Sequence, residues 1–121
     1  MKNYDSTNAY VLLFRRPPDL PHPSPEEMQR NFERWSAWID GLVSRGASSG
    51  GQRLDEAGTV VRNLGGARVV DGPFVEGKEV IGGTLAITAP SLAAATEIAK
   101  GCPGLDHGYS VEVRPALCRA N

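Results

Sequence analysis

The sequence predicts a single α+β domain spanning residues 1–121, and three patterns support this prediction. An apolar run at Tyr10–Phe14 is typical of a buried strand. A capped segment with helical spacing of apolar residues follows from Ser24. Short segments rich in β-branched residues then recur to the end of the chain. The hydrophobic content of 40% and the charged content of 22% are ordinary for a globular protein.

The first strand is predicted at Tyr10–Phe14, where aromatic and β-branched residues are concentrated. The segment Arg15–Pro23 contains four prolines. Each proline lacks a backbone donor and restricts the residue before it, so this segment is predicted to be a loop.

A long helix is predicted to begin after Ser24. Ser24 is the N-cap, Pro25 takes the first helical position, and Glu27 completes a capping box. Gly46 is the expected residue just after the helix. One helical stripe is predicted to pack into the core, and it consists of Met28, Phe32, Trp35, Ile39 and Leu42.

A β-hairpin and a further strand are predicted next. Thr59–Arg62 and Ala67–Val70 flank the loop Asn63–Gly66. Thr84–Thr88 alternates and predicts a strand. The preceding Gly82–Gly83 pair lacks the G-x-G-x-x-G pattern and a following helix, so close backbone approach or a bulge explains it better than a phosphate loop.

The chain is predicted to end with a short helix and a strand. Ser91 caps the helix, and Gly101 and Pro103 close it. Ser110–Pro115 alternates as the last strand, which Pro115 is expected to stop. The order of elements therefore predicts a ferredoxin-like βαββαβ arrangement, with an added β-hairpin before the third main strand.

Composition argues against several classes of function. Thirteen basic and 14 acidic residues give a net charge of −1, which favours neither nucleic acid nor an anionic membrane as a partner. The apolar run at Val11–Phe14 is too short for a signal peptide or a membrane span. Cys102 and Cys118 form no C-x-x-C pair, and the chain has only two histidines. We therefore expect a cytoplasmic protein with reduced thiols and with no metal or other cofactor.

The first strand has apolar residues on both of its faces, and this predicts that a partner covers the second face of the sheet. Two helices cover one face of a four-stranded sheet, yet Val11 and Leu13 alternate with Tyr10, Leu12 and Phe14. A second copy of the chain is the economical cover. In the last two predicted strands, the residues that face away from the helices are mostly small or polar. They are Thr84, Ala86, Thr88, Ser110, Glu112 and Arg114. These residues suit either a pocket between two copies or an exposed surface on edge strands.

The stretch Asp71–Gly83 reads D-G-P-F-V-E-G-K-E-V-I-G-G and resembles the YCII-related family, specifically its DGPF branch. The resemblance extends over nearly the whole chain, through Ser24–Glu27, the Trp35 and Trp38 helix, Gly101–Pro103 and Val111–Pro115. It implies a dimeric α/β barrel whose two sheets enclose clefts. It implies little about activity. The related YciI-type proteins carry a His–Asp pair in which the histidine lies in the first helix, and no histidine occurs in this helix.

The charged residues of this motif are the main site candidates. Asp71 or Glu76 would act as an acid or base near a cleft, and Lys78 would hold an anionic group. The alternative is architectural, with Asp71 fixing the turn and Glu76 and Lys78 in salt bridges. Binding without chemistry is a third reading.

Two further residues could rim the same cleft. Arg15 at the end of the first strand and His22 in the proline loop could meet an anion, or could simply be solvated. Asp106 and His107 form a pair on paper, although neighbours in a turn rarely point at one substrate.

The function predicted from the sequence is therefore a homodimeric domain that binds a small molecule, an anion being one option, near Asp71–Phe74. The alternatives are a cofactor-free lyase or isomerase that uses a carboxylate for proton transfer, and an accessory domain that binds other proteins. A deep pocket with a carboxylate of raised pKa would favour the enzyme, and a shallow pocket beside an exposed apolar patch would favour the accessory domain.

Overall fold

The computed structural model of the chain describes residues 4–63, 65–72 and 80–119. The described strands are β1 (Tyr4–Arg16), β2 (Ser48–Arg53), β3 (Gly58–Asn63), β4 (Ala67–Gly72), β5 (Val80–Thr88) and β6 (Ser110–Arg119). The described helices are α1 (Pro25–Ser44) and α2 (Leu92–Ala99), followed by a 3₁₀ turn at Pro103–His107.

Four of these strands form one antiparallel sheet in the order β2-β5-β1-β6. Two helices and an antiparallel sheet in this order are consistent with the ferredoxin-like arrangement, and they confirm the prediction of an α+β fold. The added hairpin is also confirmed, because β3 and β4 pair with each other in a separate two-stranded sheet.

The ends of both helices follow their sequence signals. The Ser24 side chain accepts a hydrogen bond from the Glu27 backbone, and the Glu27 side chain accepts one from the Ser24 backbone. Gly46 follows α1 with a φ of 75°, a left-handed conformation that favours glycine. Ser91 caps α2 by accepting from the Ala94 N–H. Neither of the helices described here combines the length and the apolar character needed to cross a membrane.

The core lies between the helices and one face of the sheet. Its buried residues include Leu12 of β1, Leu42 of α1 and Leu85 of β5. An aromatic cluster extends the core towards the 3₁₀ turn. Phe14 meets Trp35 edge-to-face with ring centroids 4.9 Å apart, and Trp35 in turn lies 5.9 Å from Tyr109.

The predicted core stripe of α1 is only partly correct. Leu42 is buried, and Trp35 and Ile39 pack against the core, but Met28 is 53% exposed and Phe32 is 63% exposed. The first turns of α1 contribute apolar side chains at the right helical spacing, yet the core forms around the later turns. Helical spacing alone does not report where along its length a helix meets the sheet.

The strand β2 was not predicted as an element of its own. Its sequence, SSGGQR, lacks the β-branched and aromatic residues that mark strands. It nevertheless pairs with β5 along the edge of the sheet, with a register shift between Ser48 and Gly50.

The prediction that Pro115 stops the last strand is wrong, because β6 continues to Arg119. Proline lacks a backbone N–H, but β6 is an edge strand, where one missing donor is tolerated. The register with β1 shifts between Ser6 and Tyr10, beside the position of Pro115. The first strand is also longer than predicted and includes Arg15 and Arg16.

Two predictions, of a bulge at Gly82–Gly83 and of a four-residue hairpin loop at Asn63–Gly66, have different outcomes. A bulge at Gly82–Gly83 is confirmed, because the register with β1 shifts there and a side chain at Gly83 would come within 2.8 Å of the Gln52 carbonyl oxygen. The predicted four-residue hairpin loop is shorter in the structure, since Asn63 pairs with Ala67.

Close packing around Gly104 predicts a specific loss of stability. A β-carbon at this buried glycine would lie 2.6 Å from Trp35 Cζ2 and 3.1 Å from Tyr109 Cβ. We expect Gly104→Ala to lower the free energy of unfolding by about 1–3 kcal/mol, as overpacked cores do. Urea denaturation measures the change.

The matched control is Gly41→Ala in α1, where a β-carbon meets nothing within 4 Å. Alanine there should raise stability by about 0.5–1 kcal/mol through helix propensity. Equal effects of the two substitutions would contradict the packing described for Gly104.

Candidate functional site

The candidate site lies on the face of the sheet that the helices leave open. Tyr10, Leu12 and Phe14 of β1 are buried on the helix side, as the alternation predicts. Val11 and Leu13 point the other way and are only half-buried. On the same face Ala86 of β5 is exposed. We call this surface the open face.

A groove of about 410 Å³ crosses the open face. It is lined by Val11, Ser49, Gly50, Gly51, Gln52, Thr84 and Ala86. The register explains this set. One row across the sheet runs Gly50, Ala86, Val11 and Arg114, and the next runs Gln52, Thr84, Leu13 and Glu112.

The shape of the groove depends on the glycines of β2. A side chain at Gly51 would collide with the Thr84 carbonyl oxygen, while the side-chain direction of Gly50 faces empty space. Gly50 also has a φ of 109°, which other residues rarely adopt. Ser48 fixes this irregular strand, because its hydroxyl donates to the Ala86 carbonyl at 2.5 Å and accepts from the Gly50 N–H at 3.0 Å.

A row of charges borders the groove. Arg15 Nε donates to Glu112 Oε1 at 3.0 Å, and Arg114 Nη1 donates to Glu112 Oε2 at 3.2 Å. One carboxylate therefore faces two guanidinium groups, so the net charge of the three side chains is positive. We call Arg15, Glu112 and Arg114 the positive row. Hydrogen bonds from Arg15 and then from Arg114 hold the pKa of Glu112 below its usual range.

The structure places the predicted site residues unequally. Arg15 lies on the open face, but it is bonded to Glu112 rather than free. His22 is exposed in the loop between β1 and α1. Asp71 is described by its backbone, which pairs with Thr59 in the separate hairpin. Glu76 and Lys78 lie outside the described residues.

Two features of the open face were missed by reasoning from the sequence. The alternation of β6 placed Glu112 and Arg114 on this face, but it gave no reason to join them to Arg15. The contact is made by residues that lie 97 positions apart in the chain. The groove residue Gln52 was missed because β2 was not recognised as a strand.

A second polar cluster lies on the helix side of the molecule. Arg34 Nη2 donates to Asp106 Oδ2 at 2.7 Å, and Arg34 Nη1 lies 3.3 Å from His107 Nε2. Asp106 and His107 thus both meet α1. Arg34 and Asp106 are well exposed, so this cluster joins α1 to the 3₁₀ turn at the surface.

The open face combines a groove with charged side chains. The groove offers apolar side chains, a glutamine amide and accessible backbone, and the adjoining row offers two guanidinium groups. Among the described residues there is no group of three or more His, Cys, Asp or Glu that could hold a metal ion.

Comparison with known proteins gives one family. The model of a family described as YCII-related domain matches residues 9–116. No curated protein matches the chain. The matched range includes β1 from Ala9 onward, both helices and β5, and thereby the groove and Arg15.

The lowered pKa of Glu112 predicts a pH dependence of stability. Because the folded-state pKa lies below the ordinary value of 4.5, the ionised carboxylate stabilises the fold above that value and ceases to do so as the pH falls through the folded-state pKa. We expect wild type to be more stable than Glu112→Gln at about pH 6, and the two free energies of unfolding to converge below pH 4.5. Urea denaturation across this pH range measures both.

The control is Glu97→Gln, which removes an exposed ion pair with Lys100 on the helix side. Its free energy of unfolding should stay within about 0.5 kcal/mol of wild type. A Glu112→Gln difference that is independent of pH would contradict the role given to Arg15 and Arg114.

Proposed function

The chain belongs to the YCII-related domain family, and we propose that it binds a small organic anion in the groove of its open face, in a homodimer that encloses this groove. The observation that supports the proposal most directly is the junction of the groove with a positive row of side chains. Val11 lines the groove, and its register partner on β6 is Arg114.

The charge of the row favours an anion with an apolar body. Glu112 uses one N–H group of Arg15 and one of Arg114, so further guanidinium donors of both residues can face a ligand. Arginine donors suit carboxylate and phosphate oxygens because the guanidinium is planar and presents several parallel donors. Val11 and Ala86 would contact the apolar part of the ligand.

The half-buried apolar side chains of the open face support the proposed homodimer. Leaving large apolar side chains half in water forgoes part of the roughly 1.5–3 kcal/mol that full burial of each contributes. Packing of two open faces would cover Val11 and Leu13 in both copies with a single symmetric contact. This arrangement is the dimeric α/β barrel that the resemblance to the DGPF branch implies, and we propose it for this chain.

We propose that the residues of the Asp71–Gly83 motif border the cleft. Val80, which directly follows Glu76–Glu79 in the chain, pairs with Arg16 at the end of β1. This pairing anchors the end of the motif beside Arg15. We propose that Lys78 contributes to anion binding and that Asp71 and Glu76 are the groups available for proton transfer if the ligand is also a substrate.

The proposal also gives the protein a cytoplasmic location. Cys102 carries a free thiol that is buried near α2, and burial raises its pKa. A free thiol is the usual state of cysteine in a reducing compartment such as the cytoplasm.

Benzoate and its neutral analogue benzamide test the proposed ligand class, because they share a ring and differ in charge. We expect benzoate to shift the backbone NMR signals of Val11, Gly50 and Thr84, and benzamide to bind more weakly. Arg114→Gln should weaken benzoate binding by about tenfold, since a charge-assisted hydrogen bond contributes about 1.5–3 kcal/mol. NMR titration measures each dissociation constant.

Two matched pairs make this test specific. Ala86→Trp should fill the groove and abolish binding, whereas Thr88→Trp places the same ring on an exposed position outside the lining. Arg30→Gln, on the exposed surface of α1, controls for the loss of one positive charge. Equal binding of benzoate and benzamide, or binding that survives Ala86→Trp, would overturn the proposed site.

The dimer has its own test in Leu13→Glu. A carboxylate at this half-buried position of the open face should oppose packing of two copies and raise the dimer dissociation constant by at least about tenfold. Analytical ultracentrifugation measures that constant, and circular dichroism checks that the variant remains folded.

Leu92→Glu is the control, because Leu92 is 50% exposed and lies on α2 in the helix layer. Its dissociation constant should remain near that of wild type. A wild-type protein that sediments as a monomer would refute the dimer, and an effect of Leu92→Glu alone would move the interface to the helices.

A further inference from the structure

The β3–β4 hairpin stands apart from the rest of the fold. Its two strands pair along six register positions, from Gly58 opposite Gly72 to Asn63 opposite Ala67. Within the described part of the chain, extensive contacts of the hairpin run only between these two strands. The hairpin therefore belongs to neither the sheet nor the helix layer.

A two-stranded hairpin without a covering layer is at best marginally stable in water. This one has valines at its central register positions, where Val60 pairs with Val70 and Val61 pairs with Val69. Val61 is 65% exposed, and Thr59 on the same face of β3 is also exposed, whereas Val60 between them is half-buried. Such a composition is typical of a strand pair that packs on another surface.

The root of the hairpin is fixed to the sheet. The Leu54 N–H donates to the Gly82 carbonyl at 2.9 Å, just beyond the end of β2. Glu56 forms an ion pair with Arg16 at the end of β1. The hairpin therefore leaves the sheet as an arm from the end of β2, and Leu54 at its root lies two residues beyond the groove residue Gln52.

We infer that this arm lies over the open face of a second copy of the chain, so that each groove is completed by the hairpin of the partner subunit. This inference rests on the proposed homodimer and specifies how the ligand site is built. The second copy is the matching occupant because one chain presents both surfaces, an open face with half-buried Val11 and Leu13 and a hairpin with exposed Val61. A twofold arrangement covers both surfaces in both copies at once.

The arrangement gives Asp71 a place in the site. Within its own chain, Asp71 lies in β4, in the sheet that does not contain the groove. In a dimer whose hairpins each lie on the other copy, the hairpin that carries Asp71 of the partner subunit reaches the groove and the positive row beside it. The ligand would then contact β1, β2 and β5 of one copy and the arm of the other.

Site-specific photocrosslinking on the full chain tests the arm. Benzoylphenylalanine replaces Val61 in both isotopically light and isotopically heavy protein, and the two preparations are mixed and allowed to exchange subunits before irradiation. We expect crosslinked peptides in which Val61 of one isotopic form is joined to β1, β2 or β5 of the other form. Benzoylphenylalanine at Leu92, which is 50% exposed on α2 where Val61 is 65% exposed, should give no crosslink to these strands.

Sedimentation of the same samples separates the two proposals. If the protein is dimeric but Val61 crosslinks only within one isotopic form, or to the helices of the other form, the arm is refuted while the dimer stands. If the protein is monomeric at the concentration used, the proposed dimer fails and the arm fails with it.

Discussion

The central strand β1 sets the main constraint on this protein. It is bonded on both sides, to β5 and to β6, and it carries apolar side chains on both faces. The two helices lie on one face only, where Leu12 is fully buried, so Val11 and Leu13 remain half-buried on the other. A four-stranded sheet with helices on one side can be stable in water when its second face is polar. Here β1 does not meet that condition.

The open face is not uniformly apolar, because β2 and β6 contribute different groups to it. β2 supplies glycines in place of side chains, so a hollow forms beside Ala86 instead of a flat surface. β6 supplies Glu112 and Arg114, which with Arg15 form a row of alternating charge. A dry interface would place apolar side chains at these positions. The combination of a hollow and a charged row instead supports the proposed interface, which encloses a ligand.

Much of the fold could be predicted because its signals are local. The capping box at Ser24, the glycine after α1 and the alternation of β5 depend on residues within a few positions of one another, and all of them occur as expected. The failures have a different physical origin. β2 is a strand because β5 offers it a partner, and β6 passes Pro115 because the edge of the sheet tolerates a missing donor. Both depend on neighbours that are distant in sequence.

The candidate site shows the same division between local and distant information. The charged motif is a site candidate from the sequence because charges clustered between glycines are visible in the chain itself. The groove and the bonds from Arg15 and Arg114 to Glu112 could not be seen, since the sheet brings together residues from four strands. In the proposed dimer these two sets of residues are halves of one surface. The motif begins in β4 of the hairpin. If the hairpin packs on the partner subunit, as we propose, the exposed hairpin of one copy and the open groove of the other have the same cause.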